Sequence, residues 1–389
     1  MANINTDIIV VGAGLVGLAA AIAFAKQGKK VVLVDAKKPT IEKQQTWDER
    51  IYALAPESEK WLKALNVWPR VDVSRTNVIH AMHLWEETFA DRLVLSDNDA
   101  NLPKLGLIIE NQNLMAALWQ QIQVLGVTVI TDAKCKFLDN AQHDITLTLE
   151  NEIKVSAKLL VAADGVNSWV RRQVNIVVEK KDFQQTAVVA NFLAEKNHGS
   201  IARQWFAPHE TLALLPLPNQ YVSMVWSVST ERANELLKLS SDELAKKVEL
   251  RSKHELGALQ TIGKTLPFAL NQQTAAHLIA ERVALVGDAA HQVHPMAGQG
   301  VNLGFRDVIA LEEVLAGAHA MQDVGEKVFL RKYERSRKAD IAAMKALTTG
   351  LDYLFASDSG MIKKGTSWGL RQLNRQATIK KFLIQKATA

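Results

Sequence analysis

The stretch from Asp7 to Gly17, DIIVVGAGLVG, constrains this chain more than any other. Ile8 to Val11 form an unbroken apolar, β-branched run, which suits a central parallel strand covered on both faces. Gly12, Gly14 and Gly17 follow at GxGxxG spacing, and LAAAIAFAKQG continues as a helix closed by Gly28. Gly12 permits the tight turn, Gly14 lets the backbone approach a pyrophosphate, and Gly17 lets helix and strand pack closely. The helix N-terminus offers unpaired N–H groups and a partial positive charge to phosphate. KKVVLVDA is a second strand ending at Asp35, whose carboxylate can accept hydrogen bonds from ribose hydroxyls. A GxGxxG alone is weak. Set between strand and helix, with an acid closing the next strand, it predicts a dinucleotide site without choosing between NAD and FAD.

The rest of the chain predicts an α/β fold: a Rossmann-type domain assembled from separated pieces, with an inserted, mostly antiparallel β-sheet domain and a helical C-terminal tail. The expected boundaries are 1–75, 105–178 and 280–335 for the nucleotide domain, 76–104 and 179–279 for the insert, and 336–389 for the helical region. KLLVAADG and RVALVGD repeat the pattern of buried strand, then Gly and Asp, and NQNLMAALWQQIQVL reads as a helix. TAVVANFLAE, ETLALLPLP and YVSMVWSV alternate like strands of a sheet with one packed face. With 389 residues and 48% hydrophobic composition the chain can bury a large core. A lone Cys135 excludes an internal disulfide and Cys-rich zinc sites and fits a reducing cytosol. The N-terminus lacks the basic start of a signal peptide, so the expected place is the cytoplasm, with contact at the inner face of a membrane left open. From Arg331 onward there are thirteen Lys and Arg against four Asp and Glu, so the tail carries +9 and the rest of the chain −4 of the net +5. Its basic residues interleave with Phe355, Trp368 and Phe382, which suits either an interfacial helix or one packed on the body or on another subunit.

Three ordered motifs, GAGLVG, ADGVNSWVR and GDAAHQVHPMAGQGVN, resemble those of the class A FAD-dependent aromatic monooxygenases, which share the p-hydroxybenzoate hydroxylase fold. HPMAGQGVN and ERIYALAP are similar to segments of the ubiquinone-biosynthesis hydroxylases within that class. The resemblance spans nearly the whole chain. It implies FAD as cofactor, with NAD(P)H as reductant, and O2 activation through a C4a-hydroperoxyflavin that hydroxylates a phenolic ring. It assigns Gly12, Gly14, Gly17 and Asp35 to the ADP half of FAD, and Arg50 to the pyrophosphate or flavin. Gln112 goes to the ribityl or phosphate region, and Asp164 and Gly165 to a motif serving both FAD and NAD(P)H. Gly287 and Asp288 go to the ribityl chain, and Pro295, Gly298, Gln299, Gly300, Val301 and Asn302 to the flavin ring.

Plainer readings stand beside these. Asp164 can simply cap the helix that follows it. Arg171 can pair with Asp164 or Asp288 and brace the site. His291 and His294 have the spacing of a metal pair, but no third ligand is patterned nearby and Pro295 breaks any helix through them, so no metal is expected. They read as loop residues beside the flavin, with His291 and Pro295 the candidates for any direct part and a proton relay the alternative. The insert is expected to wall the substrate, with Trp205 and Phe206 preceding its apolar strands. The expected partners are a prenylated phenol and O2, with a homo-oligomer, a biosynthetic assembly or peripheral membrane contact compatible with the family, and no nucleic acid. A hydroxylase of a small soluble aromatic, or a non-catalytic FAD-binding component, shares every cofactor motif.

Overall fold

The computed structural model describes residues 3–41, 46–86, 92–292, 300–319 and 321–356, together with 376, 379–381 and 384, and over 344–356 it describes backbone alone. A six-stranded sheet forms the centre, in the order Ile279–Ala280, Val283–Leu285, Leu159–Ala162, Ile8–Val11, Val31–Val34, Thr128–Ile130. All but the first strand run parallel, with Ile8 opposite both Val31 and Leu159. Every residue of Ile8–Val11, Val31–Val34 and Leu159–Ala162 is buried, as strands covered on both faces must be. Helix Leu15–Lys26 is apolar nearly all round because it is enclosed, packing against helices Asn111–Val124 and Gly300–Ala316. A four-stranded sheet that includes Asn3–Asn5 flanks this centre.

The second body is an eight-stranded sheet, ordered His291–Gln292, Leu259–Ala275, Val178–Ala194, Tyr221–Ser229, Glu210–Pro216, Ile201–Ala207, Ala81–Glu86, Leu93–Ser96. It is antiparallel except where Ile201–Ala207 runs parallel to Ala81–Glu86. Its two 17-residue strands are register-shifted between Val189 and Asn191, opposite Gly263 at φ +74°. Such a bulge bends a long strand, and glycine supplies the positive φ. A three-stranded antiparallel sheet, Ile51–Leu54, Gly106–Glu110 and Thr76–Ile79, joins the two bodies.

Alternation along the strands sorts the insert's side chains. Leu212, Leu214, Met224, Trp226 and Trp205 turn to the face covered by helices Thr230–Leu236 and Ser241–Arg251. Trp205 is 1% exposed and stacks on Trp85, with ring centroids 4.7 Å apart and planes 6° apart. It therefore belongs to the outer core of this domain, on the face opposite the expected substrate wall. The inner face carries the in-register row Leu266, Val189, Val225, Ala213, Gln204. Alongside it runs Phe268, Ala187, Ser227, Thr211, Phe206.

Among the described residues, no helix is long and apolar enough to cross a membrane. Of the tail, Lys380 and Ile384 are buried. Ile384 joins a cluster with Ile79, Leu105, Ala202 and Leu217, and Lys380 Nζ lies 3.4 Å from Asp99. These two positions pack on the protein body, whereas Trp368 and Phe382 lie outside the described residues.

Candidate functional site

The three glycines of the first turn are glycine for different reasons. A Cβ on Gly12, which holds φ +109°, would stand 2.3 Å from Ala163 O, and one on Gly17 would stand 1.8 Å from Gly12 O. Both positions exclude a side chain because backbone already fills the space. Gly14 caps the helix, is exposed, and would meet nothing within 4 Å. Its missing side chain leaves room for something outside the protein. Asp35 sits at the rim of this turn, its Oδ2 accepting from Ala13 N at 2.6 Å and its Oδ1 from Lys37 N at 2.8 Å.

Asp164 follows the neighbouring strand. Its Oδ2 accepts from Trp169 N (2.7 Å) and Val170 N (3.1 Å) and so caps the short helix Trp169–Gln173. Its Oδ1 is buried and has no protein partner. Burial pushes the Asp164 carboxyl above its usual range, against the opposing hydrogen bonds from Ser168 and the helix amides. Capping thus uses one oxygen and leaves the other for a ligand. Burial also drives the Cys135 thiol up to about 12, with the nearby charges of Asp164 and Asp35 adding to the effect. Gly165, at φ +80°, leaves open space beside Asp164.

The other half of the site is built by Gly287, Asp288 and helix Gly300–Ala316. A Cβ on Gly304 would come within 2.6 Å of Val16 Cγ2, and one on Gly287 within 3.2 Å of Val16 Cγ1. These glycines let the first helix and the late helix interlock. Asp288 is open to solvent yet set deep in protein mass, as on a cleft wall. Burial raises its carboxyl, Asp307 adds to the rise and His291 opposes it. Behind it, Asp307 is fully buried and accepts from Gly287 N at 2.9 Å. Its Oδ1 receives Arg337 Nε at 2.8 Å, and Arg337 Nη1 reaches Asp340 at 2.5 Å. His291 Nε2 lies 2.6 Å from Asp307 Oδ2, though off the line of a hydrogen bond. Burial alone would raise the Asp307 carboxyl, but His291 and Arg337 outweigh it and hold it low. His291 is thus a buried member of a charge network that supports the Gly287–Asp288 turn.

Arg50 enters from the joining sheet. It is exposed, and its guanidinium lies 5.4 Å from the centre of the Phe268 ring on the insert's inner face. Tyr52 lies near enough to both Arg50 and Asp288 to feel their charges. Burial pushes its phenol up to about 12, with Arg50 opposing and Asp288 and Asp48 adding. Gln112 Oε1 is buried without a protein partner. Asn302 commits its side chain elsewhere, with Oδ1 accepting from Ala55 N (2.9 Å) and Nδ2 donating to Ala53 O (2.8 Å). Toward a ligand, that leaves its backbone N–H at the helix N-terminus. Gly300 begins that helix in open space and Val301 is buried in its first turn. Arg171 makes neither of its expected ion pairs and instead donates to Ala289 O (2.7 Å) and Val166 O (2.8 Å), bracing the two motif turns against each other. His294, Pro295, Gly298 and Gln299 lie outside the described residues.

Tyr52, Cys135, Asp307 and Arg337 are additions to the residues the sequence indicated. Only Tyr52 had a local signal, as it sits two residues from Arg50 in ERIYALAP.

Two orphaned oxygens, an open glycine at a helix N-terminus and an acid at the rim of the turn fit FAD. They provide a phosphate cradle and acceptors for hydroxyl groups. Fold and site define an FAD-binding flavoprotein of the Rossmann type. The family described as "FAD binding domain" matches residues 5–348. The chain is 31% identical to the 3-demethoxyubiquinol 3-hydroxylase of Escherichia coli, covering 100% of this chain and 99% of the relative. It is 31% identical to the mitochondrial ubiquinone biosynthesis monooxygenase COQ6 of Homo sapiens (98% and 92%). It is 30% identical to the ubiquinone hydroxylase UbiL of Rhodospirillum rubrum (98% and 89%). The fold is shared with the p-nitrophenol 4-monooxygenase of Pseudomonas putida at a TM-score of 0.80 and 16% identity, over 100% of this chain and 99% of that one. The chain therefore belongs to the FAD-binding-domain family and, within it, to the FAD-dependent aromatic monooxygenases that include the ubiquinone-biosynthesis hydroxylases.

Proposed function

We propose that this protein hydroxylates the aromatic ring of a polyprenylated phenol in ubiquinone biosynthesis, using NAD(P)H and O2. One oxygen atom enters the ring, and the other leaves as water with two electrons from the reductant. The observation that carries the reading is the apolar row Leu266, Val189, Val225, Ala213, which crosses four strands in register on the face whose Phe268 meets Arg50. Full-length similarity to hydroxylases named for ubiquinone synthesis supports the same substrate class.

When bound, FAD supplies the two-electron redox chemistry and the activation of oxygen. The chain's own residues bind, orient and exclude water. In this reading the turn from Gly12 to Gly17 and its helix N-terminus hold the pyrophosphate, and Asp35 and Asp164 hold the adenosine side. Gln112 and Asp288 hold the ribityl chain. The first-turn amides of Gly300 to Asn302 face negative charge at the flavin edge, where a helix N-terminus favours it. The apolar row excludes water from the ring, and basic residues of the tail meet the membrane that stores the substrate.

Purified protein loaded with FAD is incubated with NADH or NADPH and two substrates in parallel, a prenylated phenol and a small soluble phenolic acid. A product one oxygen atom heavier from the prenylated phenol is expected. Turnover of the small acid alone would refute the substrate class, and reductant oxidation with neither substrate hydroxylated would refute the activity.

A further inference from the structure

Asp48 lies just before strand Ile51–Leu54, 6% exposed, at the head of the Arg50 segment, and no role is assigned to it above. Its two carboxylate oxygens serve two distant pieces of chain. Oδ1 accepts from Arg50 N at 2.9 Å, and Oδ2 accepts from Gln112 N, also at 2.9 Å, 64 residues further on. The backbone groups of Asp48 are used as well. Its N–H donates to Glu110 Oε1 at 2.7 Å. Glu110 in turn takes a two-pronged ion pair from Arg75, with Nε and Nη2 each at 2.6 Å. The Arg75 guanidinium sits 4.5 Å from the centre of the Trp47 ring. From the insert, Asn191 Nδ2 donates to Asp48 O (3.1 Å) and Trp47 O (3.3 Å). Asn191 is 1% exposed and stands on the inner face, next to the apolar row.

We propose that Asp48 is the positioning residue of the cofactor site. It fixes Arg50 and Gln112 as a pair and ties that pair to the substrate sheet through Asn191. A carboxylate suits this work because both oxygens accept, so one buried group can set two backbone amides at once. A lone helix cap would need one oxygen. Here the second reaches the first turn of helix Asn111–Val124, at Gln112, whose own side-chain oxygen is left unpaired. The charge arrangement agrees with this, since the Arg75 guanidinium pairs with Glu110 and lies near enough to Asp48 to feel its charge, and the next cation along the chain is Arg50. The inference rests on the reading above that Arg50 and Gln112 face the flavin.

The test is a double-mutant cycle on FAD affinity, read by flavin fluorescence as apoprotein is titrated with FAD, with the melting temperature of each apoprotein measured beside it. The variants are D48N, R50Q and Q112A, singly and as D48N/R50Q and D48N/Q112A. Asn at this position keeps one acceptor oxygen of two. D48N is expected to raise the Kd for FAD about tenfold or more, on the scale of a lost charged hydrogen bond. In its background the effects of R50Q and Q112A should fall by at least half, because side chains already misplaced have less to lose. Full additivity, or a lowered melting temperature with unchanged Kd, would overturn the proposal in favour of a purely architectural role. If R50Q and Q112A each leave Kd unchanged, the cofactor reading of those side chains fails, and the inference with it. Should D48N not give folded apoprotein, D48E, which keeps both acceptors on a longer stem, is carried through the same cycle and judged by the same outcomes.

Discussion

Replacing Arg337 by Met isolates the charge network behind Asp288. Asp307 is fully buried, and its carboxylate is compensated by Arg337 at 2.8 Å, by His291 and by the Gly287 amide. Met preserves most of the apolar stem and removes the cation. Stripping one partner from a buried ion pair costs about 3–5 kcal/mol, because the remaining charge stays desolvated. R337M should therefore lose that much stability in urea denaturation of the apoprotein at pH 7. The sign of its pH dependence follows from Asp307. In the native protein its folded pKa lies below the ordinary value, so its contribution is present above the unfolded pKa and is lost as pH falls through the folded one. The variant lacks much of that contribution, so the gap between R337M and wild type should be widest near neutrality and shrink toward acid pH. The double variant D307N/R337M supplies the decisive comparison. Asn can still accept from the Gly287 amide but carries no charge, so the double should be more stable than R337M alone. A loss below about 1 kcal/mol for R337M, or a double variant less stable than the single, would refute the view that Asp307 is a buried charge held by Arg337.

Other substitutions separate packing from binding. Gly14→Ala should fold normally, since its Cβ meets open space at an ordinary φ, yet weaken FAD binding about tenfold or more in fluorescence titration. Gly17→Ala, whose Cβ would lie 1.8 Å from Gly12 O, should lose about 3 kcal/mol or more in thermal or urea unfolding. Asn302→Ala leaves the Ala55 amide and the Ala53 carbonyl without their partner and should cost about 2 kcal/mol or more in the same assay. His83 is held neutral, at about 4, by burial and then by the cations Arg92 and Arg203. Its unfolded form titrates near 6.5, so stability should be full above that pH and decline as pH falls to about 4, by about 3 kcal/mol. His83→Gln should flatten that limb of a pH series of melting curves.

What the sequence revealed and what it hid divide along a physical line. The glycine turn and the two later strand–Gly–Asp turns were legible because their meaning is local. A positive φ at Gly12 or Gly287, or a phosphate-facing helix start, is written in adjacent residues. Strand alternation was legible too, but parity says only that a sheet has two faces and not which one meets the partner domain. Trp205 illustrates the limit, since a large aromatic beside apolar strands suggested the substrate wall, and it packs under helices on the other side. Arg171 suggested an ion pair because acids flank it in the motifs. Backbone carbonyls two turns apart in space were not visible from spacing.

Asp48, Asp307 and Arg337 share the property that made them invisible. Each acts on a backbone amide or a charge brought near only by the finished fold, over separations of 64 residues for Asp48 to Gln112, 20 for Asp307 to Gly287 and 30 for Arg337 to Asp307. A turn motif can bring a glycine to a phosphate unaided, but it cannot keep an acidic side chain aimed once the loop is free to relax. Here both halves of the proposed cofactor site are held from behind by a buried carboxylate accepting backbone N–H groups, Asp48 for Arg50 and Gln112, and Asp307 for Gly287. The two differ in what else holds them. The Asp307 carboxylate is paired with a cation on the long C-terminal helix, whereas the backbone carbonyl of Asp48 accepts from Asn191 of the eight-stranded sheet. The inner face of that sheet therefore has a mechanical path to Arg50 and Gln112 through Asn191 and Asp48, and a second to the Gly287–Asp288 turn through strand His291–Gln292, which pairs with Leu259–Ala275.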